Sequence, residues 1–222
     1  MAILKKNSLP GLTGKLGQLV IREVNGKQIV SAKPDNRKTS QSKKAVSNRN
    51  SFSYVSSFAK FIYFVPGLSA LWAQYSNRKN IVYNSIVSEN KKFVTDTGLT
   101  LSNIIVPSSD YNFINDITLN NNSVNISVDL TQEFISTVLE NKFNIILIFA
   151  GYDQYGTLSY KFDENLFIPE ENIDISLISF QLKIDNLDFV KSHTDVIVFG
   201  TMIWNLRNNF ELCWSSTFGK KF

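Results

Sequence analysis

From Gly98 to the end of the chain, short apolar runs alternate with turn residues, and this spacing constrains the fold more than any other feature of the sequence. The runs predict strands at residues 104–106, 113–119, 124–130, 145–152, 157–162, 175–184, 196–204 and 210–216. Many short strands at such spacing are typical of an antiparallel sandwich. We therefore expect residues 98–222 to form an antiparallel, immunoglobulin-like β-sandwich and the whole chain to be α+β.

One of these runs differs from the others in its pattern. Residues 144–150, NIILIFA, are apolar without alternation. A strand that is buried on both faces has this pattern, whereas a strand with one wet face alternates. The run therefore predicts the central strand of the sheet.

Residues 38–97 have a helical pattern. Apolar residues recur at spacings of three and four from Val46 through Phe52 and Val55 to Val65, which predicts an amphipathic helix that ends at Pro66-Gly67. Two shorter helices follow. The segment is rich in aromatic residues, and we interpret them as core; the alternative is that they stack on nucleic-acid bases.

A β-hairpin is predicted near the start of the chain, within residues 1–37. Asn25-Gly26 favours a two-residue type I′ turn, which needs positive φ at both central positions. Counting outward pairs Val24 with Lys27, Arg22 with Ile29, and Val20 with Ser31, so that β-branched residues lie on both faces. Since an isolated hairpin is marginal in water, it packs either on the protein's own β domain or on another subunit, whose sheet it would complete by strand addition.

Positive charge is concentrated in the N-terminal arm. Residues 1–50 contain eleven Lys and Arg and two acidic residues, a net charge of +9, whereas the rest of the chain has a net charge of −5. Such asymmetry favours contact with nucleic acid or with an acidic neighbour, including another copy of the chain. The alternative is a solvated tail.

No catalytic, cofactor or metal site is indicated by the sequence. The chain has one histidine, His193, and one cysteine, Cys213, whereas a zinc site usually needs three or four ligands. His193 lies in a polar run, which we interpret as a solvated turn, and Cys213 is interpreted as a buried apolar residue. The acidic run between Asp163 and Asp174 lacks the pattern of an EF-hand loop and is interpreted as solvated surface.

Nothing in the sequence predicts a membrane segment or a secretory signal. The first ten residues lack a long apolar region, and no stretch approaches 18 consecutive apolar residues. We therefore expect a soluble protein that is not exported by the standard route and has no membrane partner.

Motifs at both ends of the chain resemble those of one uncharacterised family. Gly11-Leu-Thr-Gly-Lys-Leu-Gly-Gln-Leu-Val and Val24-Asn-Gly-Lys-Gln-Ile-Val-Ser-Ala-Lys-Pro34 resemble the opening segments of short hypothetical proteins from Bacteroidota and their mobile elements. Glu211-Leu-Cys-Trp-Ser-Ser-Thr-Phe-Gly219 is similar to the closing segment of that family, with Phe218 in place of a tyrosine, and Ser31-Ala32 replaces the family's Arg-Ser. The resemblance implies a helical region, a β-rich C-terminal half and a phage origin. It implies no activity.

These observations together predict a non-enzymatic structural protein of a bacteriophage virion, assembled in the host bacterial cytoplasm. Its partners would be other virion proteins or copies of itself in a homo-oligomer, and no cofactor is expected. The alternative is a nucleic-acid-binding accessory protein that uses the same basic arm; outside a virion, either protein would be cytoplasmic. The residues predicted to bind the partner are Lys15, Val20, Arg22, Asn25, Gly26, Lys27, Ile29, Lys33 and Arg37.

Overall fold

Helices and antiparallel strands make up the computed structural model, so the predicted α+β class is confirmed. The structure describes residues 2–3, 13–32, 39–76, 81–120, 123–130, 134–135, 138–168, 175–206 and 211–222. The chain divides into two units, Met1–Ser42 and Lys43–Phe222.

The N-terminal unit is a four-stranded antiparallel sheet. Its strands, in the order β1-β4-β3-β2, are β1 (Ala2–Ile3), β2 (Gly14–Leu16), β3 (Leu19–Val24) and β4 (Lys27–Ala32). Asn25 and Gly26 have φ values of 52° and 73° at the β3–β4 turn, and Val24 lies opposite Lys27. The predicted hairpin and its register are therefore confirmed, since the turn has the positive φ values that Asn-Gly tolerates best.

The second unit contains four helices and eight strands among the described residues. The helices are α1 (Lys43–Phe64), α2 (Pro66–Ser76), α3 (Val82–Asn90) and α4 (Ile184–Ser192). The strands are β5 (Ile114–Asn120), β6 (Ser123–Val128), β7 (Val138–Tyr152), β8 (Leu158–Phe167), β9 (Leu177–Gln181), β10 (Asp195–Leu206), β11 (Leu212–Trp214) and β12 (Phe218–Lys221). Pro66 begins α2, because a proline suits the first helical position but cannot continue the preceding helix.

Strand β7 lies in the middle of a five-stranded sheet, between β8 and β10, while β11 and β12 both pair with β10. Residues 145–150 of β7 are each 0% exposed. The prediction of a central strand is confirmed. Burial on both faces explains why its sequence does not alternate.

The two faces of this central sheet are covered by different layers. Ile146 and Ile148 pack in one core with helix residues, including Phe58 of α1 and Trp72 of α2. Ile145, Leu147 and Phe149 point the other way, into a second core with the three-stranded sheet β5-β6-β9. The unit is thus built from a helical layer, a central sheet and a smaller sheet.

The immunoglobulin-like assignment is not confirmed, because helices cover one face of the central sheet. Two sheets do pack face to face, but a sandwich of that class would leave the outer face of each sheet to solvent. The boundary placed by the sequence between residues 97 and 98 lies inside the second unit, where the helices and the sheet share a core.

One predicted strand, at residues 104–106, is wrong. This segment is irregular, although Ile105 and Val106 are 0% exposed. The carbonyl oxygen of Ile105 accepts a hydrogen bond of 2.9 Å from Trp72 Nε1. The backbone N–H of Ile105 donates to Thr217 Oγ1 at 3.0 Å. The segment is therefore buried by its own apolar side chains without forming a strand, because side chains of other residues form hydrogen bonds with its backbone. Helix α4 and strand β12 were not predicted.

The aromatic residues of the helical layer fall into two groups. Phe58 and Trp72 are fully buried, which confirms the core interpretation for them. Phe52 was predicted on the buried face of α1 but is 57% exposed, and Tyr63, Phe64 and Tyr75 are exposed as well. The aromatic row is therefore only partly core.

Candidate interaction surface

The register of the N-terminal sheet gathers most of the predicted partner-binding residues on one face. Lys15 lies opposite Val20, Arg22 opposite Ile29, and Val24 opposite Lys27. Residues that are paired across antiparallel strands project from the same face, and alternate residues of a strand share a face. We call this surface the cationic face, and its members are Lys15, Val20, Arg22, Val24, Lys27, Ile29 and Ser31.

The cationic face is open and the opposite face is partly covered. Lys15, Arg22 and Lys27 are exposed and Val24 is 44% exposed, whereas Val20 and Ile29 are half-buried. On the opposite face, the side chains of Ile21 and Gln28 are buried. The three cations alternate with three apolar side chains, so the surface combines charge with apolar area.

Five of the nine predicted residues lie on this face. Asn25 and Gly26 form the turn at its end, and Lys33 and Arg37 lie outside the described residues. Val24 was not predicted as a partner-binding residue. The register counted outward from the turn is the signal that finds it, because it places Val24 beside Arg22 and opposite Lys27.

The N-terminal sheet buries little apolar surface. Ile21 is the buried apolar residue among residues 13–32, while Leu16 and Leu19 are 60% and 43% exposed. Burial of one such side chain contributes about 1.5–3 kcal/mol, whereas ordering the backbone costs about 1–2 kcal/mol for each residue. Val20, Ile29 and Val30 are only half-buried, so the described strands gain stability when further apolar surface covers them.

The outer strands of this sheet, among the described residues, are β1 and β2, which have two and three residues. Strand addition derives its affinity from main-chain hydrogen bonds along an edge. Such short edge strands offer few of these bonds, and short edges are a way in which proteins avoid edge-to-edge pairing. The cationic face is consequently a better docking surface than either edge.

The interpretation of His193 as a solvated turn residue is wrong. Its ring is half-buried and stacks on Phe189, with ring centroids 4.0 Å apart. Nδ1 donates to the carbonyl oxygen of Phe189 at 2.6 Å, because that oxygen can only accept, and Nε2 is hydrogen-bonded to Ser159 Oγ at 2.8 Å. A Cβ atom on Gly151 would lie 2.6 Å from this ring. These contacts hold the C-terminal end of α4 against β7 and β8.

The other two candidate groups, Cys213 and Asp163, are packed within the protein. Cys213 is half-buried, and desolvation, together with the charge of Glu211, raises the pKa of its thiol. Asp163 is buried, which corrects its assignment to solvated surface; it accepts a 2.9 Å hydrogen bond from Asn186 and pairs with Lys183 at 3.1 Å. Within the described ranges, no group of three or more His, Cys, Asp or Glu side chains is placed to hold a metal ion.

No single helix among the described residues is long and apolar enough to cross a membrane. Among these residues, only α1 and α2 taken together have the length and apolar composition of a membrane span, and the two helices are bent by 103° relative to each other.

Comparisons with family models, curated proteins and solved structures found no match for this chain. The resemblance to the Bacteroidota family stays a prediction.

Proposed function

We propose that this protein is a non-enzymatic assembly subunit, and that its cationic face docks on a neighbouring copy of the chain. The observation that carries the proposal is the open cationic face of a sheet that buries a single apolar residue among residues 13–32. A sheet of this kind gains stability when a partner covers it, because the partner removes the exposed apolar side chains from water.

The chemistry of the face selects the class of partner. The three cations of the face favour an acidic partner surface. The apolar residues between them favour a partner with apolar side chains; these residues are Val20, Val24 and Ile29. Residues 1–42 contain eight Lys and Arg and two acidic residues, a net charge of +6, whereas residues 43–222 contain 15 basic and 17 acidic residues, a net charge of −2. Opposite charges on the two units favour contact between the N-terminal unit of one copy and the second unit of the next.

A contact between different surfaces of two copies is heterologous, and such contacts close into rings or continue into filaments. The resemblance of the terminal motifs to the Bacteroidota family implies a phage origin. The proposal therefore includes a role in a bacteriophage virion, assembled in the bacterial cytoplasm, with other virion proteins as further partners.

Nucleic acid is the second candidate for the partner of the cationic face, because the same three cations would contact phosphates. The apolar residues favour protein. Val20, Val24 and Ile29 lie among the cations, and a phosphate backbone offers them no apolar contact, whereas a protein surface does.

Removal of Met1–Ser42 tests the proposal. We expect the full chain to form oligomers and the shortened chain to be a folded monomer, since Lys43–Phe222 is a unit with its own two cores. Size-exclusion chromatography with light scattering gives the masses, and circular dichroism verifies that the shortened chain is folded. A shortened chain that assembles like the full chain would exclude the cationic face as the docking surface.

A further inference from the structure

Helix α1 concentrates positive charge on the second unit. Its 22 residues contain Lys43, Lys44, Arg49 and Lys60 and no acidic residue. The rest of the second unit is more acidic than basic, since the unit as a whole has a net charge of −2. The α1 surface is thus the place on this unit where a polyanion meets the least repulsion.

A groove of about 700 Å³ is lined, among the described residues, by one stripe of α1. The residues that line it include Asn48, Arg49, Phe52, Ser53, Ser56 and Lys60. Phe52 also lines a second groove, of about 390 Å³, together with Lys91 and Val94. One aromatic ring therefore borders two grooves, and Arg49, Lys60 and Lys91 lie around it.

The exposure of Phe52 is not explained by packing of the helix. Val55, Phe58 and Ile62 of α1 are fully buried and provide its contact with the core, whereas Phe52 is 57% exposed. The Phe52 ring borders both grooves, which are also lined by Asn48, Lys60 and Lys91, and this is the setting of a stacking platform for a base.

We propose that the two grooves beside Phe52 form a binding site for single-stranded nucleic acid. The Phe52 ring stacks on one base, while Lys60 and Lys91 contact the phosphates on either side. Single strands fit this surface better than duplexes, because only unpaired bases present their faces to an aromatic side chain. The side chains of Asn48 and Ser53 add neutral hydrogen-bonding groups of the kind that also contact phosphate and sugar.

This site is separate from the cationic face and does not depend on the proposed assembly. The cationic face belongs to the N-terminal unit, whereas the described residues that line the two grooves belong to Lys43–Phe222. Loss of assembly and loss of nucleic-acid binding are therefore expected from different substitutions.

The test is fluorescence anisotropy of the full chain with a fluorescein-labelled oligothymidylate of about 20 nucleotides at about 50 mM salt. We expect Phe52→Ala to weaken binding about tenfold, the size of effect seen when one stacked base is lost. Phe64→Ala is the matched control, since Phe64 is an exposed aromatic residue at the other end of α1, 68% exposed and outside both grooves. This control should bind like the unchanged protein.

The salt dependence provides a second readout. Lys60→Gln should reduce the slope of log affinity against log salt by about 0.7, the contribution of one phosphate contact on a single strand. Lys161→Gln, a change at an exposed lysine of β8, should leave the slope unchanged.

Several results would overturn the proposal. They are no binding by the full chain, equal effects of Phe52→Ala and Phe64→Ala, or binding that is lost with Arg22→Gln and Lys27→Gln but kept with Phe52→Ala. Binding of polyglutamate with the same dependence on Phe52 would also overturn it, because the grooves would then recognise an acidic polypeptide.

Discussion

Replacement of Trp72 by alanine is expected to lower the free energy of unfolding of the second unit by about 4 kcal/mol, within the range for removing a large buried aromatic side chain. Trp72 is 0% exposed and lies in the core that joins the helical layer to the central sheet. Its Nε1 also donates to the carbonyl oxygen of Ile105 at 2.9 Å. The substitution thus leaves a cavity and an unpaired buried carbonyl.

Urea unfolding followed by two signals measures this effect. Circular dichroism reports the helices, and fluorescence of Trp204 and Trp214 reports the β strands. Both transitions should shift together, because the two layers share a core. Trp72→Phe keeps an aromatic ring and loses the hydrogen bond, so we expect it to cost only about 1–3 kcal/mol. A shift of the dichroism transition alone would show that the helices and the sheet unfold separately.

The double substitution Arg22→Glu and Lys27→Glu is expected to weaken self-association by about a hundredfold or more. Both residues are exposed members of the cationic face, on adjacent strands. Reversal of a charge at an interface replaces attraction with repulsion, and loss of a close interfacial charge pair costs about 2–5 kcal/mol. Each 1.4 kcal/mol is a factor of ten in affinity.

Sedimentation velocity over a range of protein concentrations measures the association. Lys161→Glu is the matched control for the single variant Arg22→Glu, since each reverses one exposed charge; the change on β8 of the second unit should leave association unchanged. An equal loss of association in these two single variants would mean that net charge, and not the cationic face, governs assembly.

The sequence predicted best where local geometry decides the structure. The Asn25-Gly26 turn fixes both the hairpin and its register, because few dipeptides tolerate positive φ at two successive residues. The unbroken apolar run of β7 likewise indicated burial on both faces. In each case the residues themselves contain the constraint.

Features that depend on residues distant in the sequence were not predictable in this way. The packing of the helices on the central sheet joins Phe58 and Trp72 to Ile146 and Ile148, and no periodicity within either segment indicates that they meet. Residues 104–106 have the composition of a strand, but side chains of Trp72 and Thr217 satisfy their backbone. Apolar composition predicts burial, and hydrogen-bond partners decide whether a buried segment is a strand.

The cationic face could be predicted from the sequence only in part. The register that follows from the turn was sufficient to place Lys15, Arg22 and Lys27 on one face. The register was not sufficient to predict that the cationic face is exposed and that Ile21 is buried on the opposite face, since the sequence has apolar residues on both faces. The exposure of Phe52 was also missed, because its spacing matches the buried stripe of α1.

The most direct test of the docking surface is photo-crosslinking from the cationic face. Val24 is replaced by the photo-reactive residue p-benzoylphenylalanine, and equal amounts of unlabelled and ¹⁵N-labelled full chain are unfolded in urea, mixed and refolded together before irradiation. We expect mass spectrometry of the digest to find crosslinked peptide pairs in which one peptide is labelled and the other is not, joining Val24 to residues of the second unit of another copy. Crosslinks only between peptides of the same isotope would show that the cationic face packs on its own chain, and would contradict the proposed assembly role.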